Sequence, residues 1–226
     1  MDPRADQFVE LERLGVATVN DALRRLSVHA LLPYSFSVLP DTSTVIAGRV
    51  ATALTAEGDN LAVYQLLEKV QPGEIAIVQS ESDSGRSGML GEVLLSIAKE
   101  LSIRGCVLNG TIRDQTACAA VGLPVWYRGV NPRGSLKRIA LGVNVAIAMG
   151  SVVVRPGAIA VCDADGVLVF DEAHLEAVLS IGMQSVENEQ ALKTQITERE
   201  ARATLVRLLN AKIKPLSGNE DTSTAR

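Results

Sequence analysis

The sequence predicts a single α/β domain, and three observations carry that expectation. The chain has 226 residues and no break in composition, enough for one sizeable core and no argument for two. Its apolar share of 47% is dominated by Ala, Val, Leu and Ile, a mix suited to a compact enzyme-like core. Short strand-like apolar runs alternate with stretches of helical period along most of the length. An aromatic share of 3% leaves little surface for stacking nucleobases, and a net charge of −4 exerts no pull toward nucleic acid or anionic lipid. The opening Met1-Asp2-Pro3-Arg4-Ala5-Asp6 lacks the apolar stretch of a secretory signal. No apolar run reaches the ~20 residues of a membrane span. A cytoplasmic protein with no membrane or nucleic-acid partner is expected.

The elements follow in order. Val16, Val19, Leu23 and Leu26 share one face and predict a helix over about 17–26, with Thr18 or Asn20 serving its first turn. Residues 35–44 read as loop, and 45–54 as a strand. Gly58-Asp59-Asn60 introduces a helix to about Val70, which Gln71-Pro72-Gly73 ends before a strand at 75–79. The polar segment 80–88 reads as a loop near a site. Val93, Leu94, Ile97, Ala98 and Leu101 then recur at helical spacing over about 91–101. A buried-type strand at 105–108 precedes the loop Asn109–Asp114, a helix at about 115–121 and a strand at 125–127. Strands at 158–162 and 167–170 flank Asp163-Ala164-Asp165-Gly166, a hairpin turn. Pro72-Gly73 and Pro156-Gly157 both suit type II turns entering strands. Residues 171–214 form a long helical segment, kinked near Gly182, within a domain of residues 1–216. The polar tail 217–226 is expected to be disordered. Cys106, Cys118 and Cys162 lack metal-type spacing and read as buried, reduced thiols.

The chemistry concentrates between Gly91 and Gly129. Gly91-Glu92-Val93-Leu94 opens a helix whose first backbone N–H groups are free to receive a carboxylate. Arg113-Asp114 lies between a buried strand and the next helix. An arginine grips a carboxylate through two parallel hydrogen bonds, and an aspartate holds a hard divalent cation whose other positions water fills. Taken alone, the dipeptide reads more simply as an N-cap with a surface partner.

Gly91-Glu92-x-Leu94, Gly105-x-Val107-x-x-Gly110-x-x-Arg113-Asp114 and Leu123-Pro124-Val125-x-x-x-Gly129 together resemble the core signature of the RraA-like family. Ala17–Leu23, Gly58-Asp59-Asn60, Pro156-Gly157 and Asp163–Val167 match further pieces, so the resemblance runs from about Ala17 to Phe170. Asn20 stands where the family more often has serine. The family includes the class II 4-hydroxy-4-methyl-2-oxoglutarate and 4-carboxy-4-hydroxy-2-oxoadipate aldolases. The resemblance implies a layered β/β/α sandwich of the swivelling-domain type, assembled as a homotrimer or homohexamer with sites between subunits. It implies Asp114 as the direct ligand of Mg²⁺ or Mn²⁺, Arg113 on the pyruvyl end, and Glu92 as a proton relay. Gly91, Val93 and Leu94 would supply the carboxylate-binding turn. Glu198 or Glu200 would be an acid lent to a neighbouring subunit. The implied reaction is cleavage of a 4-hydroxy-2-oxo acid to pyruvate, with decarboxylation of oxaloacetate through the same enolate.

Other chemistries find less in the chain. A Schiff-base aldolase needs a desolvated lysine, whereas Lys69, Lys99, Lys193, Lys212 and Lys214 fall on charged helical faces or the tail and Lys137 in a basic loop. His29 and His174 are far apart without a ligand pattern and read as structural. No nucleophile-elbow pattern supports a serine hydrolase. Arg128, Arg133, Lys137 and Arg138 read first as a solvated loop and second as a site rim that attracts polycarboxylates. Asp59, Asn60 and Asp83 could line the pocket, with Asp59 read first as an N-cap. The rival function is a protein-binding regulator, since members of the resembled family inhibit a ribonuclease by binding it. A methyltransferase reading, another label within that family, lacks a strand followed by a Gly-x-Gly turn.

Overall fold

The computed structural model describes residues 4–41, 43–82, 85–196 and 200–212. It divides into two compact units, Met1–Met183 and Gln184–Arg226.

In the first unit, four parallel strands form the centre of a nine-stranded sheet: β2 (Ile46–Thr55), β3 (Ile75–Ser80), β5 (Gly105–Ile112) and β6 (Val125–Val130). The path reads β1-β6-β5-β3-β2-β10-β11, with β1 (Ser37–Leu39), β10 (Ile159–Asp163) and β11 (Gly166–Phe170) antiparallel to their neighbours. Two strands pair off this path, β4 (Gly88–Leu90) with β5 and β7 (Ala140–Val143) with β2. Parallel neighbours need crossovers, and α2 (Leu61–Lys69), α3 (Glu92–Glu100) and α4 (Gln115–Val121) supply them.

The strands are apolar on both faces because both are covered. Ala76, Val78, Cys106, Leu108, Val125 and Tyr127 share a core with Leu66, Leu95 and Cys118 from the three helices. The alternate residues Ile75, Ile77, Val107 and Trp126 pack with the two-stranded ribbon β8 (Ile147–Met149) and β9 (Val152–Val154) and with one face of β10 and β11. Side chains that alternate along a strand thus separate helices from ribbon, giving a β/β/α layering. A third core joins α1 (Ala5–Arg25), the outer face of β10–β11 and Leu175, Val178 and Leu179 at the start of α5 (Leu175–Gln195).

Several boundaries differ from the sequence expectations, each for a local reason. The first helix begins at Ala5, about three turns before the expected start, because Phe8 and Leu11 extend its apolar stripe toward the N-terminus despite the surrounding charge. Gly15, at φ +72°, breaks it, and the restarted helix is capped from outside: Val16 N–H donates to Asp163 Oδ2 at 2.8 Å. Neither Thr18 nor Asn20 serves that turn. The loop expected over 35–44 contains β1, which pairs with β6. β5 runs on to Ile112, so Arg113 leaves a strand end directly. α5 passes through Gly182, where a β-carbon would meet Leu14 Cδ1 at 2.5 Å; the glycine permits close packing there. Both Pro-Gly turns close as expected, with Glu74 N–H donating to Gln71 O and Ala158 N–H to Arg155 O, each at 3.1 Å.

The boundary between the units falls within α5. The second unit contains its final turns and α6 (Ala201–Lys212). Among the described residues, no helix is long and apolar enough to cross a membrane.

Candidate functional site

A cleft of about 220 Å³ opens where chain segments leave the carboxyl ends of parallel strands, the usual place for ligands in such sheets. Asn60 and Tyr64 reach it beyond β2, Arg113 and Asp114 beyond β5, and Gly91, Val93 and Leu94 at the first turn of α3. Lys137 and Ser135 close it from the loop before β7.

Arg113 is placed by glycines. A β-carbon at Gly88 would meet its Cβ at 2.6 Å, one at Gly91 its Cγ at 2.9 Å, and one at Gly134 its Nη1 at 3.1 Å. The backbone is fixed as well, since Arg113 N–H donates to Leu90 O at 2.9 Å. Sequence reasoning missed Gly88 and Gly134; a glycine opposite a guanidinium stem leaves no local signal in the chain.

Asp114 occupies the N-cap position of α4 in the left-handed region, φ +55° and ψ 42°, which Asp tolerates better than most residues. Its carbonyl accepts from Cys118 N–H at 2.8 Å, and the Cys118 thiol donates to Arg113 O at 3.2 Å. Its carboxylate makes no capping bond; Oδ2 accepts from Arg113 Nε at 2.9 Å. The simple capping explanation of this pair therefore fails. Both side chains are about two-fifths exposed, and the neighbouring carboxylate pushes the Arg113 guanidinium above its ordinary value.

Gly91 caps α3 in extended backbone without a side-chain hydrogen bond, so the helix presents its amide end uncapped. Val93, 71% exposed, and Leu94 lie there at the cleft. Glu92 sits on the same turn, exposed, and is not among the residues lining the cleft. Burial pushes the Cys118 thiol up to about 11, and the Asp114 and Glu92 carboxylates add to that rise.

Asn60 adds an acceptor. It is 6% exposed, and its Nδ2 donates to Met89 O at 2.9 Å, which fixes the amide orientation. Its buried Oδ1 has no hydrogen-bond partner among the described residues, and a buried acceptor left unpaired is costly unless a ligand or water satisfies it. Lys137 lies with its Nζ 5.6 Å from the Tyr64 ring centroid.

Other expected candidates fall elsewhere. Asp59 is structural: Oδ1 accepts from Leu61 N–H, and Oδ2 accepts from Arg138 N–H and Ile139 N–H. Of the basic cluster, Lys137 alone lines the cleft. Arg128 stacks over Tyr34 at 4.7 Å and donates to Asn109 Oδ1. Asp83 and Glu198 lie outside the described residues, and Glu200 is exposed just before α6 in the second unit. His29 and His174, distant in sequence, line one cavity well apart in lining from this cleft. All three cysteines are buried and free.

The donor set suits a hard cation held by few protein groups. One carboxylate faces the cleft, and no cluster of three or more His, Cys, Asp or Glu occurs among the described residues. Mg²⁺ ordinarily takes one or two carboxylates and fills its shell with water and substrate oxygens, so this arrangement fits it where a zinc-type site would not.

Layered sheet and cleft together define an α/β protein whose strand ends gather a guanidinium, a carboxylate and an uncapped helix terminus. The chain belongs to the RraA-like family: the family model described as Aldolase/RraA matches residues 16–169. A Halalkalibacterium halodurans protein provisionally named 4-hydroxy-4-methyl-2-oxoglutarate aldolase is 31% identical over 193 residues, covering 85% of this chain and 90% of that protein. Among solved structures, Streptomyces coelicolor RraAS2, described as an unusual member of the RNase ES inhibitor RraA family, superposes with a TM-score of 0.77. It is 24% identical, covering 86% of this chain and 99% of that one. A Geobacillus kaustophilus structure described as an S-adenosylmethionine:2-dimethylmenaquinone methyltransferase gives a TM-score of 0.60 at 30% identity, covering 67% and 93%.

Proposed function

We propose that the chain is a divalent-metal-dependent lyase that cleaves a 4-hydroxy-2-oxo acid, of the 4-hydroxy-4-methyl-2-oxoglutarate type, to pyruvate and a second carbonyl product. Oxaloacetate decarboxylation is proposed as a second activity of the same site. The observation that carries this reading is the convergence of Arg113, Asp114 and the uncapped α3 terminus on one small cleft.

Asp114 would hold Mg²⁺ or Mn²⁺ directly, with only its Oδ2 engaged by Arg113. When bound, the cation supplies Lewis-acid polarisation of the substrate 2-keto group and a more acidic water. The amides at Val93 and Leu94 receive the substrate carboxylate, where the helix terminus favours negative charge. Arg113 orients the pyruvyl end and stabilises the enolate that both reactions generate. Asn60 Oδ1 accepts a hydrogen bond from bound substrate or its water, and Lys137 attracts a distal carboxylate. Glu92, exposed beside the cleft, delivers the proton that converts enolate to pyruvate through water.

The same reading places the site at a subunit boundary of a homotrimer or homohexamer. Val93, Ile97, Leu136 and Ile139, all on cleft-forming segments, expose apolar surface that assembly would cover, and a C-terminal glutamate of a neighbour, Glu198 or Glu200, would complete the site. A coupled assay of pyruvate formation from oxaloacetate and 4-hydroxy-4-methyl-2-oxoglutarate with Mg²⁺ tests the proposal. Its second reading, a protein-binding regulator of ribonuclease activity, is supported by membership of a family whose model is described as both Aldolase and RraA. It gains if neither acid turns over and a ribonuclease is bound.

A further inference from the structure

We propose that the first unit carries a second ligand site, for a small polyanion, in the cavity that His29, Arg155 and His174 share. This cavity, about 530 Å³, has no residue in common with the catalytic cleft and has the size of an ordinary metabolite pocket. The fold collects in it the only two histidines of the chain, one just after α1 and one just before α5.

The charges in its wall are unevenly satisfied. Glu172 is clamped by Arg49, whose Nη1 and Nη2 reach its two carboxylate oxygens at 2.9 and 3.0 Å, and again by Arg4. Asp171 turns back on its own chain, where Oδ1 accepts from Ala173 N–H at 2.9 Å. The Glu172 charge is thus offset by two guanidinium groups, whereas Asp171 stays in the wall as an exposed carboxylate with a backbone partner and no ion pair among the described residues. Arg155 is exposed and makes no side-chain hydrogen bond or ion pair among the described residues. His29 has one partner, Ser151 Oγ at 3.3 Å, itself part of the wall, and the His174 ring has none.

The local backbone fixes the place of Arg155 in the cavity wall. Arg155 begins the turn closed by Ala158 N–H to Arg155 O, with Gly157 at φ +79° and open space where a β-carbon would stand. Arg49 Nη1 donates to Gly157 O at 3.2 Å, tying the turn to the Glu172 clamp. An unpaired guanidinium in one cavity wall with two imidazoles suits an oxyanion: Arg155 offers a fork of N–H donors and each imidazole at least one more. Val28, Val153 and Phe170 supply apolar wall for a short carbon skeleton. The ligand class is therefore a small phosphate- or carboxylate-bearing metabolite, and its binding is independent of the lyase reading.

Because the chain has two histidines, their ring signals form a direct probe. Imidazole proton–nitrogen correlation spectra of the full chain, assigned with His29→Gln and His174→Gln, are recorded while inorganic phosphate or citrate is added at constant ionic strength. Saturable movement of both rings with at least one of these anions is expected, and the responding anion tells a phosphate ligand from a carboxylate one. Arg155→Gln should weaken that response about tenfold, the scale of one lost charge-assisted contact, with an unchanged circular dichroism spectrum. Movement of neither ring or of only one, equal movement with sodium chloride, or full affinity in Arg155→Gln would overturn the proposal.

Discussion

Arg113 threads between Gly88, Gly91 and Gly134, so the site depends on side chains that are missing as much as on those present. Gly91 has an ordinary extended backbone, and a β-carbon there would strike Asp114 Oδ2 at 2.8 Å as well as the Arg113 stem. Gly91→Ala should therefore lower lyase kcat/KM by at least about tenfold, the cost of misplacing a positioned group, while leaving thermal stability nearly unchanged. Wild-type kinetics in that variant would show that the pair is not position-critical. Glu172 gives a second residue-scale expectation. Its guanidinium partners hold the carboxyl down to about 2 from 4.5, so the stabilisation is present above pH 4.5 and is lost as pH falls through about 2. The stability gap between wild type and Arg49→Met, from urea unfolding, should shrink as pH drops from 5 toward 2; a gap independent of pH would contradict this. Solvent exposure of the pair keeps the effect modest.

At the scale of elements, the break at Gly15 and the hairpin β10–β11 are one device. Asp163 Oδ2 caps the restarted α1 at Val16, while its Oδ1 accepts from Asp165 N–H and shapes the hairpin turn. Asp163→Ala should cost about 1 kcal/mol in urea unfolding, the usual worth of an N-cap, and Asp165→Ala should stay within about 0.5 kcal/mol of wild type. Equal effects would remove the cap assignment. This contact also marks where the sequence became opaque. The parallel strands and their crossover helices were legible because apolar runs and helical periods are local signals, and Gln115–Val121 even ended where Gly122 predicted. Asp163 as a helix cap was not, because its partner lies in another part of the chain. β1, β4 and the β8–β9 ribbon were equally hidden: three-residue strands carry no period of their own and exist through pairing. At the site, Arg113 and Asp114 stood out by family pattern. Asn60 was only one of several polar candidates, and the placing of His29 and His174 in one cavity was invisible because it follows from a long-range pairing, Val169 N–H donating to Ala30 O, that sets the segment after α1 beside β11.

The first unit joins a sheet covered on both faces to a cleft whose flanking segments expose apolar side chains. Val93, Leu136 and Ile139 are each more than half exposed, and the proposed assembly would cover them. The proposed assembly leads to a native mass of three or six chains in multi-angle light scattering, and Leu136→Asp with Ile139→Asp should shift it toward monomer and reduce turnover together. A monodisperse, fully active monomer would contradict the shared-site proposal. The catalytic proposal itself turns on Asp114, whose carboxylate faces the cleft beside Arg113 without capping the helix it precedes. Its most direct measurement is pyruvate release from oxaloacetate with Mg²⁺, in wild type and Asp114→Ala, before and after chelation. Wild-type turnover should vanish with chelator, return with Mg²⁺, and fall at least about a hundredfold in Asp114→Ala, as for a lost metal ligand. Undiminished turnover in Asp114→Ala, or turnover indifferent to chelator, would contradict the metal-dependent lyase.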